Sequence, residues 1–348
     1  MGKCLLSKVS ENVICKLQPI QMGVGIRGAC ELINIATRHV LQYLEADSDI
    51  ALLQVDFSNA FNSLRRQPML DTVAAWAPTL IPYVSYCYLT PSPLFTQTSV
   101  ISSSEGLQQG DPLSPLLFAM TTHGLFKKIS LVPGMEWSTW FLDDGTLIGN
   151  APGLQSSVDV LRSEGPYLGL TFNTSKSCLT GPGATQELSH SLGDIPILRC
   201  ETCKWAANLL GAPIGDCNFV ALEFNKRLQS VESKCSALHN LHNPQAALAI
   251  LRWCLSACRV NFLFRAVPPS QSGDWAAKYD ALLRTSFESL ICGIIPDSAW
   301  LQATLPMRCG GLGILSPVTS FSTVFTSSIL CYYRDIARLS LSRNTTAA

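Results

Sequence analysis

Charge is scarce in this chain. Only 14% of the 348 residues are Asp, Glu, Lys or Arg, and 25 acids cancel 25 bases to a formal net charge of zero. So weak a field offers phosphates no long-range attraction, which counts against tight binding of nucleic acid by charge alone. Long apolar runs are wanting too. The nearest to a membrane span is 312–333, where Pro317 and many hydroxyls suit a buried helix better. The first fourteen residues carry Lys3, Lys8 and Glu11 and no apolar core, so they do not read as a secretory signal. An intracellular, non-secreted protein without a membrane partner is expected. Internal repeats and low-complexity linkers are absent from the sequence. Cysteine is not sparse, at fourteen residues. Its share is about 4%, however, against roughly 8–10% in a disulfide scaffold. Cys200 and Cys203 form a lone C-x-x-C without a second half, and Cys254 and Cys258 are expected to face a core from one helix. The cysteines therefore read as reduced, buried thiols more readily than as a zinc site.

What is present is 47% hydrophobic and long enough for one large domain or two to three lobes. The organising stretch is 137–149, WSTWFLDDGTLIG. Asp-Gly between aromatic and β-branched runs predicts a hairpin, with Asp143-Asp144 at its tip. Adjacent carboxylates repel, so such a pair is either solvated or holding a cation; alone, it would be a surface turn. Residues 50–57, IALLQVDF, read as a strand buried on both faces, which puts Asp56 at its C-terminal end. Apolar spacing predicts a helix over 29–44, and Pro68 opens another towards Trp76. A helix leading to a strand or hairpin follows over 79–104. Two glycines and two prolines make 105–115 an irregular loop feeding a helix over 116–129. A helix over 154–167, a short strand at 170–173 and a second hairpin at 209–215 come next. Helices are expected over 218–239, 244–266, 275–293 and 318–340, interrupted by a glycine-rich segment at 305–315. This order suits an α+β fold with a split β-α-β sheet.

If those sheet elements are neighbours, Asp56, Asp143 and Asp144 converge. Left alone, three carboxylates repel one another and their pKa values rise. Divalent cations resolve this, and two of them can flank a phosphorus for in-line displacement, which needs mainly positioning and charge neutralisation.

Six ordered segments then resemble a reverse transcriptase, most closely those of non-LTR retrotransposons. They are Asp56-Phe-Ser-Asn-Ala-Phe61-Asn62, Gln108-Gln-Gly110-Asp-Pro-Leu-Ser-Pro115, Phe141-Leu-Asp143-Asp144, Leu170-Thr-Phe-Asn-Thr-Ser-Lys176, Leu209-Leu-Gly-Ala-Pro-Ile-Gly215 and Leu305-Pro-Met-Arg-Cys-Gly-Gly-Leu-Gly313. One such match is weak, but six in order over most of the chain are not a coincidence. The resemblance implies a right-hand polymerase palm over 49–216, a residual fingers segment over 1–48 and a helical thumb with a C-terminal extension over 217–348. It implies that Asp56, Asp143 and Asp144 hold two Mg2+ (or Mn2+), and that Lys176 neutralises or protonates the leaving pyrophosphate. Phe61 would exclude a 2′-hydroxyl from the incoming dNTP. Phe57, Gln109, Gly110 and Arg27 would also line the substrate. Lys226, Arg227, Lys234, Arg252 and Arg259 would touch the backbone of an RNA template and DNA primer. Eight bases against four acids between Arg199 and Arg265 agree with that placement.

Relatives of this type carry more fingers ahead of the first motif, together with endonuclease and zinc-type modules. A chain truncated at the fingers, working beside other retroelement-encoded modules, is therefore expected. The main alternative is a catalytically inactive, domesticated remnant that only binds nucleic acid. A third reading is another palm enzyme, an RNA-templated RNA polymerase or a nucleotidyl cyclase. Phe61 argues against ribonucleotides, and the helical tail does not help a cyclase.

Overall fold

A computed structural model describes residues 2–6, 11–44, 49–201 and 203–341. They fall into two compact units. The first holds Val40–Arg199 and the residues ahead of Cys30; the second holds Cys30–His39 and Cys200–Ser340.

The first unit is built on strand β1, Ile50–Val55. A two-stranded ribbon follows, β2 Ser92–Phe95 with β3 Val100–Ser103. Then come β4 Met135–Phe141, β5 Asp144–Asn150 and β6 Cys178–Thr180. The main sheet is antiparallel throughout, in the order β4-β5-β1-β6. Ala51, Leu52 and Leu53 are all 0% exposed, so β1 is covered on both faces as its unbroken apolar run requires. Ala51, Leu53 and Val55 share a core with Leu117 and Phe126 of the helix Ser114–Ser130 and with Leu154 and Val158 of the helix Ala151–Leu168. The fold is α+β, an antiparallel sheet packed against helices and followed along the chain by a mainly helical region.

The sheet differs from expectation at one edge. Residues 170–173 make a single bridge, Phe57 to Phe172, and the regular strand is β6, further along. Asn173 causes the delay. Its side-chain oxygen accepts from the Lys176 amide (3.2 Å), and its carbonyl accepts from Ser177 Oγ (2.7 Å), folding 173–177 into a turn before pairing resumes. On the opposite edge, residues 20–22 add a parallel bridge to Trp140, with Trp140 N donating to Ile20 O (2.8 Å) and Met22 N to Trp140 O (2.7 Å).

The second unit contains the hairpin β7 Ala207–Leu209 with β8 Ala212–Ile214, as its sequence predicts. Its core gathers Phe224 of the helix Cys217–Ala237 with Trp275 and Tyr279 of the helix Pro269–Leu290. Trp275 Nε1 donates to Phe224 O (2.9 Å). The single helix expected over 244–266 is broken into Pro244–Ile250, a π-turn Leu251–Leu255, a 3-10 turn Ala257–Arg259 and Asn261–Ala266. The break has partners: Ala257 N donates to Leu315 O (3.0 Å), and Tyr279 Oη donates to Leu255 O (2.6 Å). The interruption overturns the helical phase assumed for Cys254 and Cys258, and both are exposed. No disulfide joins the cysteines among the described residues, and Cys235 is the buried one. By composition, Pro244–Ala266 is long and apolar enough to cross a membrane, but it is 44% buried here and interrupted. It reads as core of this unit. A further helix, Asp297–Thr304, was not expected, being only eight residues long.

Candidate active site

The register of the sheet brings the acids together. Val55 pairs with Gly145, so Asp56, one residue on, lies beside Asp144. Asp143 sits in the β4–β5 connection, closed by the pair Phe141 and Asp144. Burial pushes the Asp143 carboxyl above its ordinary range, and the negative charge of Asp56 adds to the rise. Asp144 is pushed up to about 6 by burial and by the fields of Asp143 and Asp56. The charges that raise both groups are all carboxylates. The Asp56 backbone is pinned on the other side, its amide donating to Ser177 Oγ (3.1 Å) and its carbonyl accepting from Asn173 N (2.9 Å). Asp56 Oδ1 is buried and has no hydrogen-bond partner among the described residues. An uncompensated, oxygen-only group with an orphaned buried oxygen has the donor chemistry a hard divalent cation takes, but the three carboxylates do not bring one oxygen each within 4.8 Å of one another and would have to close around it.

The connection itself is strained. Leu142 has φ 56, a left-handed conformation that costs a branched residue about 1–2 kcal/mol. Gln21, fully buried, holds it there. Its Oε1 accepts from Leu142 N (2.7 Å) and its Nε2 donates to Leu142 O (3.0 Å). Gly23 allows the approach, since a Cβ there would lie 2.6 Å from the Leu142 side chain.

The other expected residues divide. Phe61 lies half-buried on the short helix Ala60–Ser63, stacked on Phe118 with ring centroids 4.5 Å apart. Gln109 is exposed, with Nε2 3.5 Å from Asn62 Oδ1, and Gly110 has φ +95 with nothing within 4 Å of where a Cβ would stand. Arg27 is exposed in the turn ahead of the helix Ala29–Tyr43. Lys176 is exposed in the 173–177 turn, next to the Ser177 that holds Asp56. Phe57 is 4% exposed, and its ring stacks on Phe126 and Trp140, at 6.3 and 5.9 Å, within the core. Of the bases in the second unit, Lys226 Nζ is taken by Glu223 Oε1 (2.5 Å) and Arg227 by Gly211 O (2.6 Å). Arg252 lies over the Trp253 ring at 4.3 Å. Lys234 and Arg259 are exposed. Lys8 lies outside the described residues.

Three supporting residues escaped the sequence. Arg66 is buried and donates to Gly106 O (3.0 Å), Ser103 O (2.9 Å) and Glu105 O (3.1 Å), anchoring the entry to the 105–115 loop. Tyr88 Oη donates to Asp111 Oδ2 (2.7 Å) and accepts from Gln108 N (3.3 Å), fixing the turn before the helix Ser114–Ser130. Gln21 is the third. Nothing marks Arg66 in a run of polar residues, and Gln21, between Pro19 and Gly23, has no periodic signal of its own.

A family model described as reverse transcriptase (RNA-dependent DNA polymerase) matches residues 4–206. A search of curated proteins found no match. Among solved structures, the chain is similar to the telomerase of Candida albicans in complex with a TWJ fragment of telomeric RNA. The TM-score is 0.51 at 9% identity, over 98% of this chain and 54% of that one. It is also similar to the apo telomerase of Candida tropicalis, with a TM-score of 0.43 at 14% identity, over 96% and 61%. The chain thus spans little more than half the length of these solved chains. The family match takes in the whole sheet that gathers Asp56, Asp143 and Asp144, and it extends over more than half of the residues. On that ground the chain belongs to the reverse transcriptase (RNA-dependent DNA polymerase) family.

Proposed function

We propose that this chain is the polymerase part of a non-LTR retrotransposon reverse transcriptase, adding dNTPs to a DNA primer 3′-hydroxyl on an RNA template inside the cell. The observation that carries this is the carboxylate cluster, with Asp56 Oδ1 buried and unpartnered beside two acids of raised pKa. The ordered segment at 305–313 favours the non-LTR type over other members of the family. In this reading, residues 49–216 are the palm, 217–348 the thumb and C-terminal extension, and 1–48 what serves as fingers.

Asp56, Asp143 and Asp144 would hold two Mg2+ ions, with Mn2+ as a substitute. Bound there, the ions would lower the pKa of the primer hydroxyl and neutralise charge on the leaving pyrophosphate. The protein's own part is positioning. Gln21 keeps the connection bearing Asp143 in its strained form, and Ser177 with Asn173 fixes the Asp56 backbone. Phe61, backed by Phe118, presents a flat wall where a ribose would carry its 2′-hydroxyl. Gly110, open on its Cβ side, lets a nucleotide approach the backbone after Gln109. Lys176, exposed next to Ser177, would meet the departing phosphates, and the exposed Arg27 would meet the triphosphate.

The alternative, a remnant that binds nucleic acid without catalysis, draws on the zero net charge and on Lys226 and Arg227 being engaged within the protein. Primer extension on an RNA template with dNTPs and Mg2+ decides between them. Incorporation by the wild type that is lost in Asp143→Asn supports polymerisation. No incorporation by folded wild-type protein favours the remnant.

A further inference from the structure

A second metal-ligating group lies in the second unit, away from any role given above. The C-x-x-C whose other half could not be found in sequence finds a third ligand in space. Cys200, Cys203 and Asp216 bring a sulfur, a sulfur and a carboxylate oxygen within 4.8 Å of one another, all three residues half-buried. In a tetrahedral zinc site with Zn–S near 2.3 Å, neighbouring ligand atoms stand roughly 3.5–3.8 Å apart. Contraction by about an ångström would complete the site. We propose that Cys200, Cys203 and Asp216 form a zinc site that clasps the base of the β7–β8 hairpin, with water in the fourth position.

The surroundings support it. Cys203 and Asp216 bracket the hairpin, and its base is already narrow: a Cβ on Gly215 would stand 3.0 Å from Trp205 O. Asp216 caps the helix Cys217–Ala237 by accepting from Phe219 N (2.8 Å). A carboxylate has two oxygens and four lone-pair positions, so capping and metal ligation are compatible. On binding, Zn2+ replaces the two thiol protons, which leave to the buffer, and the bound thiolates carry no net redox change. Two thiolates also select the ion. Magnesium and manganese prefer all-oxygen sets such as the aspartate cluster, whereas zinc accepts sulfur.

The test uses the full chain, reduced and stripped of metal, then given one equivalent of Co2+ and, separately, Zn2+. Cobalt should show thiolate charge-transfer absorption and the intense visible bands of a tetrahedral site, both displaced by Zn2+. X-ray absorption of the zinc-loaded wild type should find two sulfurs at about 2.3 Å with oxygen donors completing the shell. Cys203→Ser should weaken zinc at least tenfold. Asp216→Asn, which can still cap the helix, should weaken it while leaving the sulfur count at two. A Cys254→Ser/Cys258→Ser double variant should change nothing. Absence of binding, a shell with no sulfur or four sulfurs, or a cobalt spectrum that follows Cys254 and Cys258 would overturn the proposal. The absorption measurement reads the wild type, so a misfolded variant does not blunt it.

Discussion

Phe61 and Gln21 show two ways in which one residue can shape this site. Phe61 is half-buried and held by a ring stack on Phe118, so in the proposed function its part would be steric. Phe61→Ala should lower discrimination against rNTPs at least tenfold in single-nucleotide insertion; an unchanged dNTP/rNTP ratio would remove it from that role. Gln21 touches no candidate substrate. It satisfies both polar groups of the Leu142 peptide. Gln21→Leu would strand them and should cost about 2 kcal/mol, seen as a lower urea midpoint. It should also raise the Mg2+ concentration needed for half-maximal incorporation, which a purely structural role would not do. Sequence reasoning reached Phe61 because its spacing from Asp56 is covalent information. Gln21 was out of reach, because its partner lies 121 positions away and polar clamps leave no periodic trace.

Among the elements, the helix Ser114–Ser130 carries a testable titration. His123 is 7% exposed, and burial, helped by Lys127, holds its imidazole below the ordinary 6.5. The folded chain therefore binds fewer protons there than the unfolded chain, and stability rises with pH across that interval. As pH falls through 6.5, the unfolded state gains protons first and stability is lost. His123→Gln should flatten the fall in melting temperature between pH 7 and 5, and an unchanged slope would assign the acid sensitivity elsewhere. The 105–115 loop depends on Arg66 in a similar way. Arg66→Met removes the donor to three carbonyls and should cost about 2–3 kcal/mol, read by denaturant melting together with faster amide exchange at 103–107. Strands and hairpins with strict patterning were legible, as at β1, β4–β5 and β7–β8. The element lost from view was β6, because the Asn173 turn postpones pairing and three residues carry no pattern. The 244–266 helix failed for the opposite reason: its composition stays helical through Ser256, and only tertiary partners at Leu315 and Tyr279 break it.

At the scale of the molecule, near-neutral charge sets how the chain should hold nucleic acid. With Lys226 and Arg227 engaged internally, those two cations are withheld from phosphates and should add little to the salt dependence of primer–template binding. Lys234→Ala and Arg259→Ala should each reduce the slope of log K against log salt by about 0.7–0.9, whereas Lys226→Ala should not. Equal slopes in all three would dissolve the distinction. One consequence of the sheet order concerns synthesis. Ile50 pairs with Asn150, and Leu52 with Thr180. At roughly 5–20 residues per second, the ribosome leaves this segment, apolar but for Gln54, without either neighbour for about 5–20 seconds. A nascent chain halted before residue 143 would own a single acid of the three and no flank to shelter it, and would depend on chaperones until translation moved on.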